Sequence, residues 1–276
     1  MAVLNVTPDS FFGDSRCRAD QVKERIDQLI SEGAFVVDIG AESTRPGATP
    51  VPTSIQIERL EAGVKYAVST KRCWVSVDTS EPSVAEAVLG FGAHIINDVS
   101  CLRQHRLATL AQRHDAALIL MHARGKMSEM AGFSVYPDNG YEDVVVDTIR
   151  EWELVRAQAV ALGMAPHDIL FDPGVGFSKN AAQSMTVVRR LREFLALGAP
   201  LVLGPSRKSF LNLIEECLPE SRLGATVACC LFAAEQGAMM VRVHDVQVVR
   251  QALEAKRAFS AIDRAIATEE ALCLTA

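Results

Sequence analysis

The sequence lacks the features that mark membrane, secreted and nucleic-acid-binding proteins. No apolar run approaches the roughly 20 residues that a membrane-spanning helix needs. The N-terminal segment carries acidic residues and no basic stretch, so we do not expect a signal peptide. Basic residues are not in excess, because 28 Lys and Arg stand against 34 Asp and Glu. The sequence therefore predicts a cytoplasmic protein that binds neither nucleic acid nor membrane.

Cysteine usage and glycine motifs exclude further classes. The seven cysteines are an odd number and none forms a CxxC pair, so neither a disulfide framework nor a cysteine zinc site is indicated. We expect reduced thiols that pack mainly in the core. Neither GxGxxG nor GxxxxGKS/T occurs, and the sequence thus shows no nucleotide-binding loop.

What the sequence does contain is a regular alternation of short β-branched runs and longer helical patterns, which is typical of βα units around a parallel sheet. Eight parallel strands close a barrel of roughly 250 residues. The sequence, with 276 residues, therefore predicts an α/β fold, a single (β/α)8 TIM barrel over residues 1–276 with its active site at the C-terminal rim. The strand candidates are Ala2–Val6, Phe35–Ile39, Trp74–Val77, His94–Asn97, Ala117–Met121, Ile169–Phe171, Leu201–Leu203 and Met239–Val243.

Helical patterns and glycine punctuation support the same organisation. Three Gly-Ala pairs, at Gly33, Gly92 and Gly237, stand just before strand candidates and predict glycine caps at helix C-termini. The helix candidates are Gln21–Ile30, Val84–Leu89, Val144–Leu162, Ser184–Phe194, Leu223–Gln236 and Gln247–Phe259.

Polar residues follow nearly every strand candidate at its C-terminal end. In a barrel these ends meet on one rim, where barrel active sites lie, and one shared site explains the pattern better than independent coincidences. The residues are Asn5, Asp38, Asp78, Asn97, Asp98, His122, Asp172, Arg242 and His244, with the segments 42–47 and 206–209.

Three of these residues, Asp78, Asn97 and Asp172, form a set of acceptors with one amide that also donates. A carboxylate can accept two parallel hydrogen bonds from an amino-heterocycle edge, and a buried site of this kind discriminates strongly between ligands. Taken singly, each residue could equally cap the next helix.

The cations at the rim favour an anionic ligand such as diphosphate. Arg242 and His244 have the same parity along one strand, so they are expected to point the same way. Arg45, Arg207 and Lys208 follow other strands, where a solvated surface charge is the alternative interpretation. A zinc site at His122 or His244 is not favoured, because no HxxxH spacing accompanies them.

The segment from Asp172 to Phe177 predicts a tight glycine turn after a strand. Glycine allows the backbone to approach a ligand closely, although Gly176 could instead merely shape the loop. Phe177 is poorly placed for core packing at such a loop, and this predicts that its ring stacks on a ligand.

These segments, taken together, resemble the successive signatures of the dihydropteroate synthase family. They occur in the family's order and cover nearly the whole chain. The segments are NVTPDSF at 5–11, ESTRPG at 42–47, VDT at 77–79, INDV at 96–99, MH at 121–122, DPGVGF at 172–177, SRKSF at 206–210 and RVHDV at 242–246.

The resemblance implies a role for each group of residues. A pterin pocket would contain Asp78, Asn97, Met121, Asp172, Gly204 and Lys208. A diphosphate site would contain Asn5, Thr44, Arg45, Arg242 and His244, with Asn5 contributing to the binding of Mg²⁺ as cofactor. The p-aminobenzoate side, where sulfonamides compete, would contain Pro46, Phe177 and Ser209. The catalytic set would be Lys208, Asp172, Arg242 and His244.

The resemblance also implies the reaction and the assembly. The family reaction breaks the C–O bond to diphosphate early, and the aryl amine of p-aminobenzoate then attacks the cationic pterin methylene. A homodimer formed by late helices is implied, as are small-molecule substrates. The departures from the family pattern are Phe12 to Ser15 with its acid displaced to Asp14, Ala41, Ala123-Arg124, Pro205 and a short N-terminal segment. The sequence indicates no role for Arg124.

Three alternatives remain open at the level of sequence. A methyltetrahydrofolate methyltransferase would share the pterin pocket but would not need the cations of 206–209 or Arg242. A sulfonamide-insensitive synthase would carry an enlarged aromatic segment after the glycine turn, whereas Ser178 and Lys179 follow Phe177 directly, so ordinary sensitivity is expected. A non-catalytic pterin-binding protein would bind the ligand without releasing diphosphate.

Overall fold

The fold is described from a computed structural model, which describes residues 1–6, 21–42, 51–125 and 129–273, with side chains up to residue 261. Eight strands lie among these residues, and each begins and ends close to its predicted position. They are β1 (Ala2–Asn5), β2 (Val36–Gly40), β3 (Trp74–Asp78), β4 (Ile95–Asp98), β5 (Ala117–Met121), β6 (Ile169–Asp172), β7 (Val202–Leu203) and β8 (Met240–Val241).

Helices connect the strands, as the βα alternation predicts. Short 3-10 helices occupy Asp138–Gly140, Pro166–Asp168, Leu191–Leu197, Ser209–Leu213 and Pro219–Arg222. The α-helices are α1 (Val22–Ser31), α2 (Thr53–Thr70), α3 (Pro82–Gly90), α4 (Arg106–Arg113), α5 (Val144–Ala161), α6 (Ala181–Arg189), α7 (Leu223–Glu235) and α8 (Val246–Cys273). Within the described ranges, none of the helices is long and apolar enough to cross a membrane.

The strands are parallel and follow the order of the chain. Strands β1 to β6 form one six-stranded sheet, and β7 pairs with β8. Two isolated parallel bridges join the pieces, Phe171 to Leu201 on one side and Ala2 to Val243 on the other. The strands therefore follow the ring order of a (β/α)8 barrel, and the predicted fold class is confirmed.

Side chains alternate between two layers along each strand. The larger core cluster lies between strands and helices, and includes Val37, Ile39 and Phe171. A smaller cluster lies at the N-terminal end of the barrel interior, where residues from five strands pack with Met1, Ala117 and Met240. These five residues are Val36, Ile95, Ile119, Leu170 and Val202. We call this small apolar cluster the floor of the barrel, because the residues at the C-terminal rim lie above it.

Helix ends agree with the glycine pattern. Gly33, Gly92 and Gly237 have φ of +97°, +96° and +97°. At each site the following alanine N–H reaches back into the last turn, as in the bond from the Ala34 N–H to the Leu29 carbonyl at 3.0 Å. This is the Schellman arrangement, and it confirms the predicted caps.

Several predicted elements differ from the structure, among them α8, which runs to Cys273 instead of the predicted Phe259. Helix α6 ends at Arg189 and continues as a 3-10 helix, whereas the pattern predicted one helix over Ser184–Phe194. Its start is set earlier than predicted by a capping box between Asn180 and Gln183. The last strand is shorter than predicted, because pairing with the two-residue β7 supports only Met240–Val241.

Candidate functional site

The candidate site lies directly above the apolar floor of the barrel. Each residue two positions beyond a floor residue faces the interior again, because strand side chains alternate with a period of two. The residues in this second layer are Asp38, Asn97, Met121, Asp172, Gly204 and Arg242. Predicted site residues from six strands are thus brought together by alternation alone.

Arg242 connects Asp38 of this layer to Asp78, which ends β3. Its Nε donates to Asp38 Oδ2 at 2.7 Å, and its Nη2 donates to Asp78 Oδ2 at 3.0 Å. Asn97 Nδ2 also donates to Asp38 Oδ2 at 3.1 Å, and Ser76 donates to the other oxygen of Asp38 at 2.6 Å. Asp38 is completely buried and orients both Arg242 and Asn97, a role that sequence reasoning missed.

Asp78 keeps one oxygen available for a ligand. Its Oδ1 is buried and has no hydrogen-bond partner among the described residues. Burial raises the pKa of Asp78 to about 7, while the neighbouring Arg242 acts in the opposite direction. A buried acceptor without a hydrogen-bond partner costs free energy, so this oxygen marks where a ligand N–H donor would bind.

Gly204 provides the space between three functional side chains. A Cβ at this position would lie 3.7 Å from Arg242 Cβ, 3.8 Å from Lys208 Nζ and 3.9 Å from Asp172 Oδ2. Burial lowers the pKa of Lys208 to about 8 and raises the pKa of Asp172, and each charge opposes the shift of the other. Asp172 and Lys208 therefore both lie next to the backbone of Gly204, where no side chain stands between them.

The turn after β6 holds Asp172 and Lys208 in place. The Gly174 N–H donates to Asp172 Oδ1 at 2.7 Å, and Lys208 Nζ donates to the Val175 carbonyl at 2.8 Å. Gly174 has φ of +66°, and a Cβ there would lie 2.1 Å from the His122 carbonyl oxygen. Glycine is therefore required at this position, because the turn packs directly on the backbone after β5.

Phe177 is packed, which corrects the expectation that its position is unsuited to core packing. Its side chain is 6% exposed and packs in a cluster with Val99, Met121 and Ala123. Phe133 meets its ring edge-on at 5.1 Å, and Lys208 Nζ lies 4.4 Å from the ring centroid. The turn folds back over β5, so the aromatic ring joins a small cluster at the rim rather than pointing away from the protein.

The structure describes fewer of the residues that the sequence predicted for the p-aminobenzoate and diphosphate sides. Ser209 Oγ donates to the Phe133 carbonyl at 3.1 Å, and His244 Nδ1 lies 2.9 Å from Ser206 Oγ. Arg207, one of the predicted rim cations, makes a two-pronged ion pair with Asp245 at 2.6 and 2.9 Å, so the structure gives it a role in holding the loop. The predicted residues Thr44, Arg45 and Pro46 lie outside the described residues, as does Asp14.

Asn5 ends β1 beside the carboxylates. A Cβ at Gly40 would lie 3.2 Å from Asn5 Oδ1 and 3.6 Å from Asp78 Cβ, so the amide reaches across the end of β2. Across the described part of the chain, no three His, Cys, Asp or Glu side chains group in a way that could hold a metal ion. A metal at this rim would thus need ligands other than such a cluster.

Fold and site together define an enzyme of the barrel type whose rim presents buried hydrogen-bond acceptors beside cations. The model of the pterin-binding enzyme family matches residues 1–244. The chain belongs to this family.

Individual relatives point the same way. The chain is 36% identical over 255 residues to the dihydropteroate synthase of Escherichia coli, covering 92% of this chain and 88% of that protein. It resembles the structure of Xanthomonas albilineans dihydropteroate synthase with 4-aminobenzoic acid, with TM-score 0.83, 34% identity and coverage of 94% and 92%. It also resembles the Yersinia pestis dihydropteroate synthase in a sulfonamide complex, with TM-score 0.86, 34% identity and coverage of 95% and 93%.

Proposed function

We propose that this protein is a transferase that joins 6-hydroxymethyl-7,8-dihydropterin diphosphate to p-aminobenzoate, giving 7,8-dihydropteroate and diphosphate in folate biosynthesis. The observation that carries the proposal is the unpartnered Asp78 Oδ1, which stands beside Asn97 on the rim of a barrel in the pterin-binding family. The curated relatives, which are dihydropteroate synthases, support the same reaction.

The pterin end of the substrate fits the acceptors. We assign the N–H groups of the pterin edge to Asp78, Asn97 and Asp172, because carboxylate and amide oxygens accept such donors. Gly204 leaves room for the flat ring, and Lys208 lies at its border. Met121 belongs to the apolar cluster around Phe177 and would pack against the ring system. A ligand lacking the N–H donors would leave these buried oxygens unpaired, which gives selectivity.

The diphosphate end fits the cations. We assign Arg242 and His244 to it among the described residues, together with Thr44 and Arg45. When the C–O bond breaks, its electron pair leaves with diphosphate, and these residues stabilise the developing negative charge. The carboxylates of Asp78 and Asp172 stabilise the positive charge left on the pterin methylene, to which the lone pair of the aryl amine then adds. The amine finally loses a proton.

Mg²⁺ fits the same end. It takes few protein ligands when substrate phosphates and water supply the rest, and Asn5 offers an amide oxygen at the rim without a surrounding carboxylate cluster. We assign Asn5 as the residue that would hold the ion among those described. Bound there, Mg²⁺ would neutralise charge on the diphosphate.

The p-aminobenzoate side is assigned to Phe177, Ser209 and Pro46. The Phe177 ring lies near Lys208, so an aryl amine placed beside this ring would be next to the pterin methylene. Because a sulfonamide shares the aryl amine, we expect it to compete with p-aminobenzoate. Inhibition that p-aminobenzoate does not relieve would contradict this assignment.

Diphosphate release is the test of the reaction. The purified protein is given the pterin diphosphate with and without p-aminobenzoate and Mg²⁺, and diphosphate and dihydropteroate are measured. We expect release coupled to dihydropteroate formation and lost on chelation. Pterin binding without release would favour a non-catalytic binding protein. Methyl transfer from methyltetrahydrofolate would favour the methyltransferase, which has no use for Arg242 and Lys208 as placed here.

We also propose that the chain is a single domain that works as a cytoplasmic homodimer. The support is the family membership and one continuous barrel core. Light scattering on the purified protein should give twice the mass of the chain, and a monomer at micromolar concentration would contradict the proposal.

A further inference from the structure

A second polar cluster contacts the turn that follows β6. At its centre is Lys179, which is completely buried. Its Nζ lies 2.9 Å from His122 Nδ1, 3.4 Å from the Phe177 carbonyl and 3.5 Å from the Gly174 carbonyl. A buried ammonium is expensive unless several acceptors surround it. The acceptors here are one imidazole nitrogen and two carbonyls of the turn.

His122 links Lys179 to helix α5. Its Nε2 lies 3.0 Å from Glu151 Oε2. Burial and the Lys179 charge lower the pKa of His122 to about 4, so the ring is neutral near pH 7. A neutral imidazole that faces an ammonium at Nδ1 and a carboxylate at Nε2 accepts at the first and donates at the second.

The outer end of the cluster is closed by Arg124, for which the sequence indicated no role. Its Nε donates to Glu151 Oε2 at 2.9 Å, and its guanidinium lies 3.7 Å from the Tyr141 ring centroid. The Tyr141 hydroxyl donates to the Ser178 carbonyl at 2.9 Å. Both the inner and the outer end of the cluster therefore hold the backbone between Gly174 and Ser178.

The same turn holds two residues of the pterin pocket. The Gly174 N–H binds Asp172, and the Val175 carbonyl binds Lys208. Gly174 also contacts Lys179, because its carbonyl lies 3.5 Å from Lys179 Nζ. Val175 is the next residue along the chain. A shift of this turn would therefore move the partners of both Asp172 and Lys208.

We propose that Lys179 is a positioning residue for the transfer reaction: it fixes the 174–177 turn through the Gly174 and Phe177 carbonyls, and Glu151 orients it through His122. This inference rests on the proposed function, because it assigns Lys179 to the same site. Lys179 does not touch the substrate in this account. It holds the backbone on which Asp172 and Lys208 depend.

Lys179 and Asp172 each shift the pKa of the other. Burial lowers the pKa of Lys179 to about 7, and Asp172 is the largest influence in the opposite direction. Reciprocally, Lys179 is among the cations that lower the pKa of Asp172. The titratable and charged groups that face Lys179 from the elements packed around it are Cys101, His122, Arg124, Tyr141, Asp172 and Lys208.

The test is Lys179→Met, which removes the ammonium and keeps an unbranched side chain. We expect kcat/KM for the pterin substrate to fall roughly tenfold to a hundredfold, as misplacement of reacting groups does. Because a nearby cation is lost, the pKa of Asp172 should rise, and the acidic limb of the kcat/KM profile should move to higher pH. A folded variant with wild-type kcat/KM and an unmoved acidic limb overturns the proposal.

Glu151→Gln is the second variant, since Glu151 is partly exposed and its replacement leaves Lys179 in place. We expect a smaller loss in the same parameter. If Lys179→Met does not fold, wild-type kinetics in Glu151→Gln overturn the proposal. Val88→Ala, a buried change on α3 remote from the turn, controls for loss of stability alone and should keep the wild-type pH profile.

The same experiment separates this inference from the proposed function. A wild-type protein that binds the pterin substrate but never releases diphosphate would contradict the function. An active wild type together with fully active Lys179→Met and Glu151→Gln would contradict only the positioning role.

Discussion

The two halves of the rim site are built in different ways. In the early half, Asp38, Asp78 and Asn97 stand on adjacent strands, and Arg242 ties the carboxylates together. In the late half, Lys208 lies on the connection after β7 and Asp172 ends β6, and both are bound by backbone groups of the glycine turn after β6. Strands hold their side chains more rigidly, whereas the side chains of the late half depend on hydrogen bonds made by one turn. Damage to each half should therefore appear in different measurements.

The late half should give the largest effect on catalysis. Lys208→Ala and Asp172→Asn each remove a charge from the proposed pterin site, so kcat should fall roughly a hundredfold to a thousandfold. Unfolding by urea should change little in both variants. Lys65→Ala, at an exposed lysine on α2, is the matched control and should keep wild-type activity. Retained turnover in Lys208→Ala or Asp172→Asn would remove that residue from the site.

The early half should give the largest effect on stability. Asp38→Asn leaves Arg242 with a single carboxylate partner in a buried setting, and breaking a buried ion pair costs about 3–5 kcal/mol. Urea unfolding should show this loss directly. Asp27→Asn, an exposed acid that pairs with Arg72, should cost at most about 1 kcal/mol. Equal stabilities of Asp38→Asn and the wild type would show that the ion pair between Asp38 and Arg242 does not stabilise the early half.

Two buried groups should tilt the dependence of stability on pH in opposite directions. The pKa of Asp78 is raised from 3.8 to about 7, so the folded state retains a proton that the unfolded state has lost, and stability falls as pH rises through this window. The pKa of His122 is lowered from 6.5 to about 4, so the unfolded state holds the extra proton, and stability falls as pH drops from 6.5 towards 4.

Replacing each group in turn separates its contribution to the dependence of stability on pH. Asp78→Asn should remove the loss of stability between pH 4 and 7, while His122→Asn should remove the loss towards acid. Each effect should amount to a few kcal/mol at most, because one pKa unit corresponds to about 1.4 kcal/mol. Thermal unfolding at a series of pH values measures both. Parallel curves for Asp78→Asn and the wild type would contradict the burial of Asp78 as the cause.

The smallest effect is expected at Ser209. Its hydroxyl donates to the Phe133 carbonyl, and loss of one such hydrogen bond costs about 0.5–1.5 kcal/mol. Ser209→Ala should therefore raise the KM for p-aminobenzoate several-fold and leave the KM for the pterin substrate unchanged. A change confined to the pterin KM would move Ser209 to the other half of the site.

The sequence predicted the barrel well because its signals are local. Strand candidates, glycine caps and the polar residue at each strand end all depend on periodicity within a few residues, and the barrel and the family are confirmed. The early half of the site follows from the same periodicity, because alternation places Asp78 and Asn97 on one face. Asp38 has the right parity as well, but its main partner Arg242 lies 204 residues away, so its role could not be read locally.

The late half was less predictable because it depends on how a turn folds back. Phe177 was expected to be poorly placed for core packing, yet the turn folds over β5 and buries its ring. Arg124 and Lys179 gained their roles only through contacts with Glu151 on α5 and with His122 after β5. Such contacts join segments between 27 and 57 residues apart and leave no periodic trace in the sequence.

The alternation of floor and site residues sets which length changes the chain can accept. One residue inserted between Val36 and Asp38 would turn the carboxylate out of the barrel and bring an apolar side chain into its place. A residue added to an exposed loop changes only the path between two strands. Natural insertions and deletions in this protein should therefore accumulate between strands and helices, while the spacing from floor to site stays at two residues on every strand that contributes to the pocket.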